Sequence, residues 1–216
     1  MSLQISPSLL LADHAALGEE VLRCERWGID ALHLDIMDYS YAGDQGFTWR
    51  TVQAVINYTS LPVELHLMVR DPLLYFDKLA ALSPAIMTFQ LEASPDSLQC
   101  VELAHQAGIQ AGLAIEPGTP VSYLYDRLGS CSSATLMGVV PGKAGSLFDR
   151  SILQKITQLY ELRKDIVIRL DGGVDEATAI AAFRLGCSQV IIGTALFQAA
   201  NPAEMIKRIK NECEVK

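Results

Sequence analysis

Eight short aliphatic or β-branched runs, each followed by a helical pattern, repeat from one end of the chain to the other. The runs lie near "LQISPSLL", "DALHLDI", "PVELHLMV", "AIMTFQL", "IQAGLAI", "ATLMGVV", "IVIRLDG" and "SQVIIG". Between them come amphipathic stretches: Leu17, Val21 and Cys24 share one helical face, as do Ile152, Ile156 and Leu159. Asn201-Pro202 has the form of an N-cap followed by Pro at the first helical position. Gly108 and Gly186 each close a helical pattern where a left-handed residue is wanted. Eight such units in 216 residues, with no long linker, predict an α/β fold: one (β/α)8 TIM barrel spanning 1–216. A doubly wound open sheet uses the same alternation. Against it, no Gly-x-Gly-x-x-Gly follows the first strand, and eight units is the number that closes a barrel.

Half the residues are hydrophobic and 19% are charged, enough for one well-buried core. No stretch approaches the roughly 18 uninterrupted apolar residues of a membrane span, and the N-terminus lacks the basic region of a secretory signal. The expectation is a cytoplasmic protein with no membrane partner. Five cysteines, odd in number and without a Cys-x-x-Cys pair, suggest reduced structural thiols. A net charge of −8 and the lack of a Lys/Arg cluster count against nucleic acid. An anionic ligand must then be held by local donors rather than by the overall field.

The strands carry polar residues that an ordinary core strand would not. In "LHLDIMD", Leu32, Leu34 and Ile36 point one way while His33, Asp35 and Met37 point the other. "ELHLMV" repeats the pattern with His66 and Met68, and "IRLDGG" ends a third strand with Asp171. Burying a lone carboxylate costs several kcal/mol, so something on that face must compensate. In a barrel the C-terminal strand ends converge on one mouth. Two imidazoles and two carboxylates there suit one divalent metal ion, Zn²⁺, Fe²⁺ or Mn²⁺. Met37, Met68 and Met137, also at strand ends, suit either a water-excluding wall or ordinary core filling.

A second group is glycine-rich. "PGKAGS" follows the sixth strand, "DGG" the seventh and "GTALF" the eighth. Consecutive loops with free N–H groups at helix N-termini form an anion cradle, which favours a phosphorylated substrate.

These motifs resemble the ribulose-phosphate 3-epimerase family over nearly the whole chain. The match runs from "ISPSLL" through "HLDIMD", "HLMV", "GLAIEPGTP", "VVPG" and "LDGGV" to "IIGTALF". The resemblance implies a cytosolic, homo-oligomeric, metal-dependent barrel that inverts the carbon next to a ketose-phosphate carbonyl. By the same resemblance, His33, Asp35, His66 and Asp171 bind the metal, Asp35 accepts the proton and Asp171 donates one on the opposite face. Ser8 and His66 touch the sugar. Gly142, Lys143, Ala144, Gly145, Gly172, Gly173, Gly193 and Thr194 hold the phosphate.

The chain also departs from the family. The family continues Met-Asp with Gly-x-Phe-Val-Pro-Asn, whereas this chain has "YSYAGDQGFTW". The family's histidine on the fourth strand is Gln90, with Glu92 kept, and Lys143-Ala144 stands where the family prefers Phe-Gly. D-ribulose 5-phosphate is the expected substrate. A hexulose 6-phosphate epimerase and a non-catalytic sugar-phosphate-binding barrel are the alternatives. A related group of decarboxylase and aldolase-type barrels uses Asp-x-Lys-x-x-Asp. The segment from Asp35 to Asp38 lacks that lysine.

Overall fold

The computed structural model describes residues 2–143 and 145–214. Its eight strands are β1 (Gln4–Pro7), β2 (Leu32–Met37), β3 (Val63–Met68), β4 (Ile86–Gln90), β5 (Gln110–Ile115), β6 (Ser133–Met137), β7 (Val167–Asp171) and β8 (Gln189–Ile192). All ladders are parallel, in the order β1-β8-β7-β6-β5-β4-β3-β2. A bridge between Ser8 and His33, and an Asp30 N–H donated to the Ile5 carbonyl at 3.0 Å, bring the two end strands together. The sheet is therefore a nearly closed (β/α)8 barrel.

Helices α1 (Leu17–Arg26), α2 (Tyr39–Ala42), α3 (Trp49–Tyr58), α4 (Leu73–Ala80), α5 (Ser97–Gln106), α6 (Ile152–Leu162), α7 (Glu176–Arg184), α8 (Thr194–Phe197) and α9 (Pro202–Glu212) fill the crossovers. The expected terminators are present: Gly108 and Gly186 have φ of +76° and +107°, and Asn201 caps α9 by accepting the Glu204 N–H. One crossover differs from simple alternation. Between β5 and β6 the chain makes two 3₁₀ turns, Val121–Leu124 and Leu128–Ser130, and no α-helix. Pro117, Pro120 and two glycines in "EPGTPVSYLYDRLGS" break the pattern there.

The aliphatic face of each strand points outward. Leu32, Leu34, Leu65, Leu67, Leu170 and Val190 join Val21, Cys24, Ile152, Ile156 and Leu159 in the main core between sheet and helices. The lumen takes the other face and is polar. Opposite strands meet across it: Arg169 on β7 donates to Glu64 on β3 at 2.5 Å and to Thr88 on β4 at 3.1 Å, and Gln189 on β8 donates to Glu64 at 2.7 Å. The period-two alternation of strands puts Glu64 beneath His66, and Arg169 beneath Asp171. All five cysteines are free and buried, and burial pushes Cys24, Cys100 and Cys187 up to about 12, as structural thiols require.

Burial opposes ionisation of Glu64, but the Arg169 guanidinium outweighs it and holds the carboxyl down at about 2. Its contribution to stability is complete above the ordinary value of 4.5 and is lost as pH falls toward about 2. Arg169→Met leaves this buried charge without its guanidinium counter-ion, with Gln189 still donating to it, and is expected to cost about 3–5 kcal/mol in urea unfolding. The double variant with Glu64→Leu is expected to recover most of that loss. Equal destabilisation in the single and double variants would contradict the pairing.

Candidate active site

β2, β3 and β7 place four ligand-type side chains in one layer at the C-terminal mouth. The register sets Asp35 beside His66, and the lumen brings Asp171 across from β7. His33 Nε2 lies 3.3 Å from Asp35 Oδ1 and 3.5 Å from Asp171 Oδ2. His66 Nδ1 lies 3.2 Å from Asp171 Oδ2 and 3.8 Å from Asp35 Oδ1. One donor atom from each of the four residues falls within 4.8 Å of the others, and all four residues are buried. Ser8 Oγ donates to the other Asp35 oxygen at 2.7 Å.

The donor set fits a divalent cation. Neither ring nitrogen of His33 has a hydrogen-bond partner, although the ring is 1% exposed. Such an orphaned buried imidazole is costly unless something shares its lone pair. The field at the site is strongly negative. Burial lowers the His33 pKa, yet Asp35, Glu64 and Asp171 more than reverse this and raise it to about 10. Burial also raises Asp35, and the adjacent His33 charge and the hydrogen bond from Ser8 bring it below its ordinary value. The arrangement that would draw a proton onto His33 attracts a metal ion in the same way.

Above this layer is a cavity of about 280 Å³, close to the low end of small-molecule sites. Asp35 and Asp171 form its floor with Ser8. Met37, Met68 and Met137 make a separate apolar cluster on its wall, packed by Leu10, Tyr41 and Ala42. The loops after β6, β7 and β8 supply Gly142, Lys143, Gly145, Gly172, Gly173, Gly193 and Thr194 to the lining. The expected contact at Ala144 falls outside the described residues. His33 and His66 are sealed behind the carboxylates and do not line the cavity. His66 stands among the metal-ligand candidates and is fully buried.

The rewritten segment after Asp38 is anchored as a cover. Asp38 caps α2 through the Tyr41 N–H and accepts the Arg70 N–H at 2.7 Å. The Tyr41 hydroxyl donates to Glu116, and the Arg70 guanidinium lies 5.6 Å from the centre of its ring. Burial, then the Glu116 carboxylate, raises the Tyr41 hydroxyl well above its ordinary range, so it stays a donor. Gly142 has φ +73°, and a Cβ there would sit 1.9 Å from the Ala42 carbonyl oxygen. Two loops can meet over the cavity because this position is glycine. Gly142→Ala is expected to push the cover off and raise KM by about tenfold or more, while kcat changes less. An unchanged KM would mean that the cover does not touch bound substrate.

Sequence reasoning missed the lumen pair Glu64 and Arg169 and the Tyr41–Glu116 contact. A signal existed for the lumen residues. Glu64 and Arg169 stand two positions from His66 and Asp171, on the same strand faces.

Comparison with known proteins agrees with this geometry. The ribulose-phosphate 3-epimerase of Rhodospirillum rubrum is 35% identical over 217 residues, covering 99% of this chain and 95% of its own. The cytoplasmic isoform of that enzyme from Oryza sativa subsp. japonica is 30% identical over 215 residues, covering 98% and 94%. Among solved structures, 3-hexulose-6-phosphate synthase from Salmonella typhimurium superposes with a TM-score of 0.71 at 18% identity, covering 99% of this chain and 98% of the other. That likeness concerns the fold. The sequence profile of the ribulose-phosphate 3-epimerase family matches residues 4–197, a span containing all four converging side chains and all three glycine-rich loops, and the chain belongs to that family.

Proposed function

We propose that this protein epimerises the carbon next to the carbonyl of a ketose phosphate, converting D-ribulose 5-phosphate to D-xylulose 5-phosphate. The observation that carries the reading is the convergence of His33, Asp35, His66 and Asp171 in one cluster whose two carboxylates line a cavity rimmed by phosphate-type loops. His33, Asp35, His66 and Asp171 would hold one divalent ion, of which Zn²⁺, Fe²⁺ and Mn²⁺ all suit the set. Bound there, the ion supplies Lewis-acid stabilisation of charge developing on the substrate carbonyl oxygen.

The residues of the chain do the rest. Asp35, held ionised, takes the proton from one face of the substrate carbon, and Asp171 on β7 returns a proton to the other. Ser8 fixes the Asp35 carboxylate through its second oxygen. The methionine wall and the cover keep water from the flat intermediate, so that the proton returned comes from the opposing aspartate. Backbone N–H groups of the glycine loops, with Lys143, grip the phosphate at a fixed distance from Asp35 and Asp171. The same reading carries a cytoplasmic homo-oligomer. Among the described residues no helix is long and apolar enough to cross a membrane.

The test is exchange of the substrate's α-proton in deuterated water, run on D-ribulose 5-phosphate, D-xylulose 5-phosphate and phosphorylated hexuloses with one added metal. Exchange with conversion of the two pentuloses is the expected result. A tenfold preference for a hexulose would overturn the pentulose assignment, and binding without any exchange would identify a non-catalytic barrel.

A further inference from the structure

Gln90, the last residue of β4, lies against His66, and Glu92 in the turn that follows contacts the Gln90 amide; neither has a part in the chemistry above. Their hydrogen bonds have a definite polarity. An ionised carboxylate only accepts, and Glu92 accepts twice: the Glu116 backbone N–H at 2.8 Å and the Gln90 amide Nε2 at 2.8 Å. The Gln90 amide nitrogen is therefore turned toward Glu92 and its oxygen toward His66, 3.0 Å from His66 Nε2. An amide oxygen also only accepts, so His66 Nε2 must carry hydrogen. In the neutral ring the lone pair then sits on Nδ1, the nitrogen that faces Asp171 and Asp35. The backbone of Gln90 is held too, because Ser97 Oγ donates to its carbonyl at 2.8 Å. Gln90 is 1% exposed and His66 is fully buried, so water cannot substitute for either partner.

We propose that Gln90 is a positioning residue that fixes which nitrogen of His66 is presented to the cation. The inference rests on the cation-site reading above. Glu92 acts one step behind by orienting the Gln90 amide. The chain reaches the cover, since the Glu116 carboxylate accepts the Tyr41 hydroxyl while its N–H holds Glu92. Without an acceptor at position 90, the His66 ring is free to exchange tautomers or turn over. Its lone pair then points toward β4 for part of the time and cannot serve the ion.

The test uses zinc and has readouts independent of turnover. The zinc affinity of the full-length protein is measured by competition with a chromophoric chelator for wild type, Gln90→Met and Gln90→His. Methionine fills the space without accepting, and a loss of about 10- to 100-fold in affinity is expected. A neutral imidazole offers one acceptor and one donor, so Gln90→His is expected to stay within about threefold of wild type. Nitrogen NMR of the zinc-loaded wild-type protein is expected to show His66 bound through Nδ1 and protonated at Nε2. If Gln90→Met does not fold, that spectrum decides alone, and zinc on Nε2 would overturn the proposal. Wild-type affinity in a folded Gln90→Met would overturn it while leaving the cation site standing. Failure of the wild-type protein to bind zinc would remove the cation site itself, and the proposal with it.

Discussion

Asp35→Asn and Asp171→Asn are each expected to lower turnover by at least about 100-fold, or about 2.7 kcal/mol of transition-state stabilisation. An asparagine keeps the size of the carboxylate, so the fold and cavity survive while the proton-transfer capacity is lost. The two residues come from well-separated strands, β2 and β7, and both line the cavity floor. That separation allows them to address opposite faces of one flat intermediate. The reaction is reversible, so each aspartate is the base for one epimer and the acid for the other. The two variants therefore differ in a way that simple damage does not produce. Asp35→Asn is expected to lose α-proton exchange from D-ribulose 5-phosphate while retaining slow exchange from D-xylulose 5-phosphate. Asp171→Asn is expected to show the reverse. Deuterium wash-in followed by NMR from each epimer measures this directly. Identical exchange losses from both epimers in both variants would indicate a single base, and near-normal turnover in both would rule out the pair.

Much of the barrel was legible because it rests on local patterns. Alternating aliphatic runs gave the strands, and the glycines at 108 and 186 marked the ends of helical segments with the φ values that positive-φ termination needs. The metal-ligand candidates were legible for the same reason, since His33, Asp35, His66 and Asp171 stand on strand faces whose direction is set by the two-residue period. The missing helix between β5 and β6 was marked by Pro117 and Pro120, but a strand-by-strand count passes over it. The contacts that hold His66, the lumen and the cover were not legible, because each joins residues far apart in sequence. Glu64 meets Arg169 across 105 positions and Tyr41 meets Glu116 across 75. No local period encodes such a pairing. The complete burial of His66 likewise depends on packing that sequence spacing does not convey.

His33→Ala is expected to abolish stoichiometric metal binding while the barrel stays folded. The ring sits at the centre of the site, with Nε2 facing both aspartates and Nδ1 3.6 Å from Glu64. Removing it takes one of four donor atoms and leaves Asp35 and Asp171 with only His66 to balance them. Two buried carboxylates sharing one imidazole repel each other across the gap, and the remaining three donors hold a divalent ion far less well. The fold is not at equal risk. Its main stabilisation lies in the aliphatic layer outside the strands, where His33 contributes nothing. Metal content by elemental analysis, circular dichroism and α-proton exchange separate these effects. The expected outcome is a folded protein with metal well below one equivalent and exchange reduced by at least about 100-fold. Chelation of the wild-type protein is expected to give the same loss, reversed by adding back Zn²⁺, Fe²⁺ or Mn²⁺. The ion that restores the fastest exchange identifies the best match for a set of two imidazoles and two carboxylates. A folded His33→Ala protein with a full equivalent of tightly held metal and normal exchange would show that the cation lies elsewhere, and the four-residue cluster would then be a buried polar network without a catalytic ion.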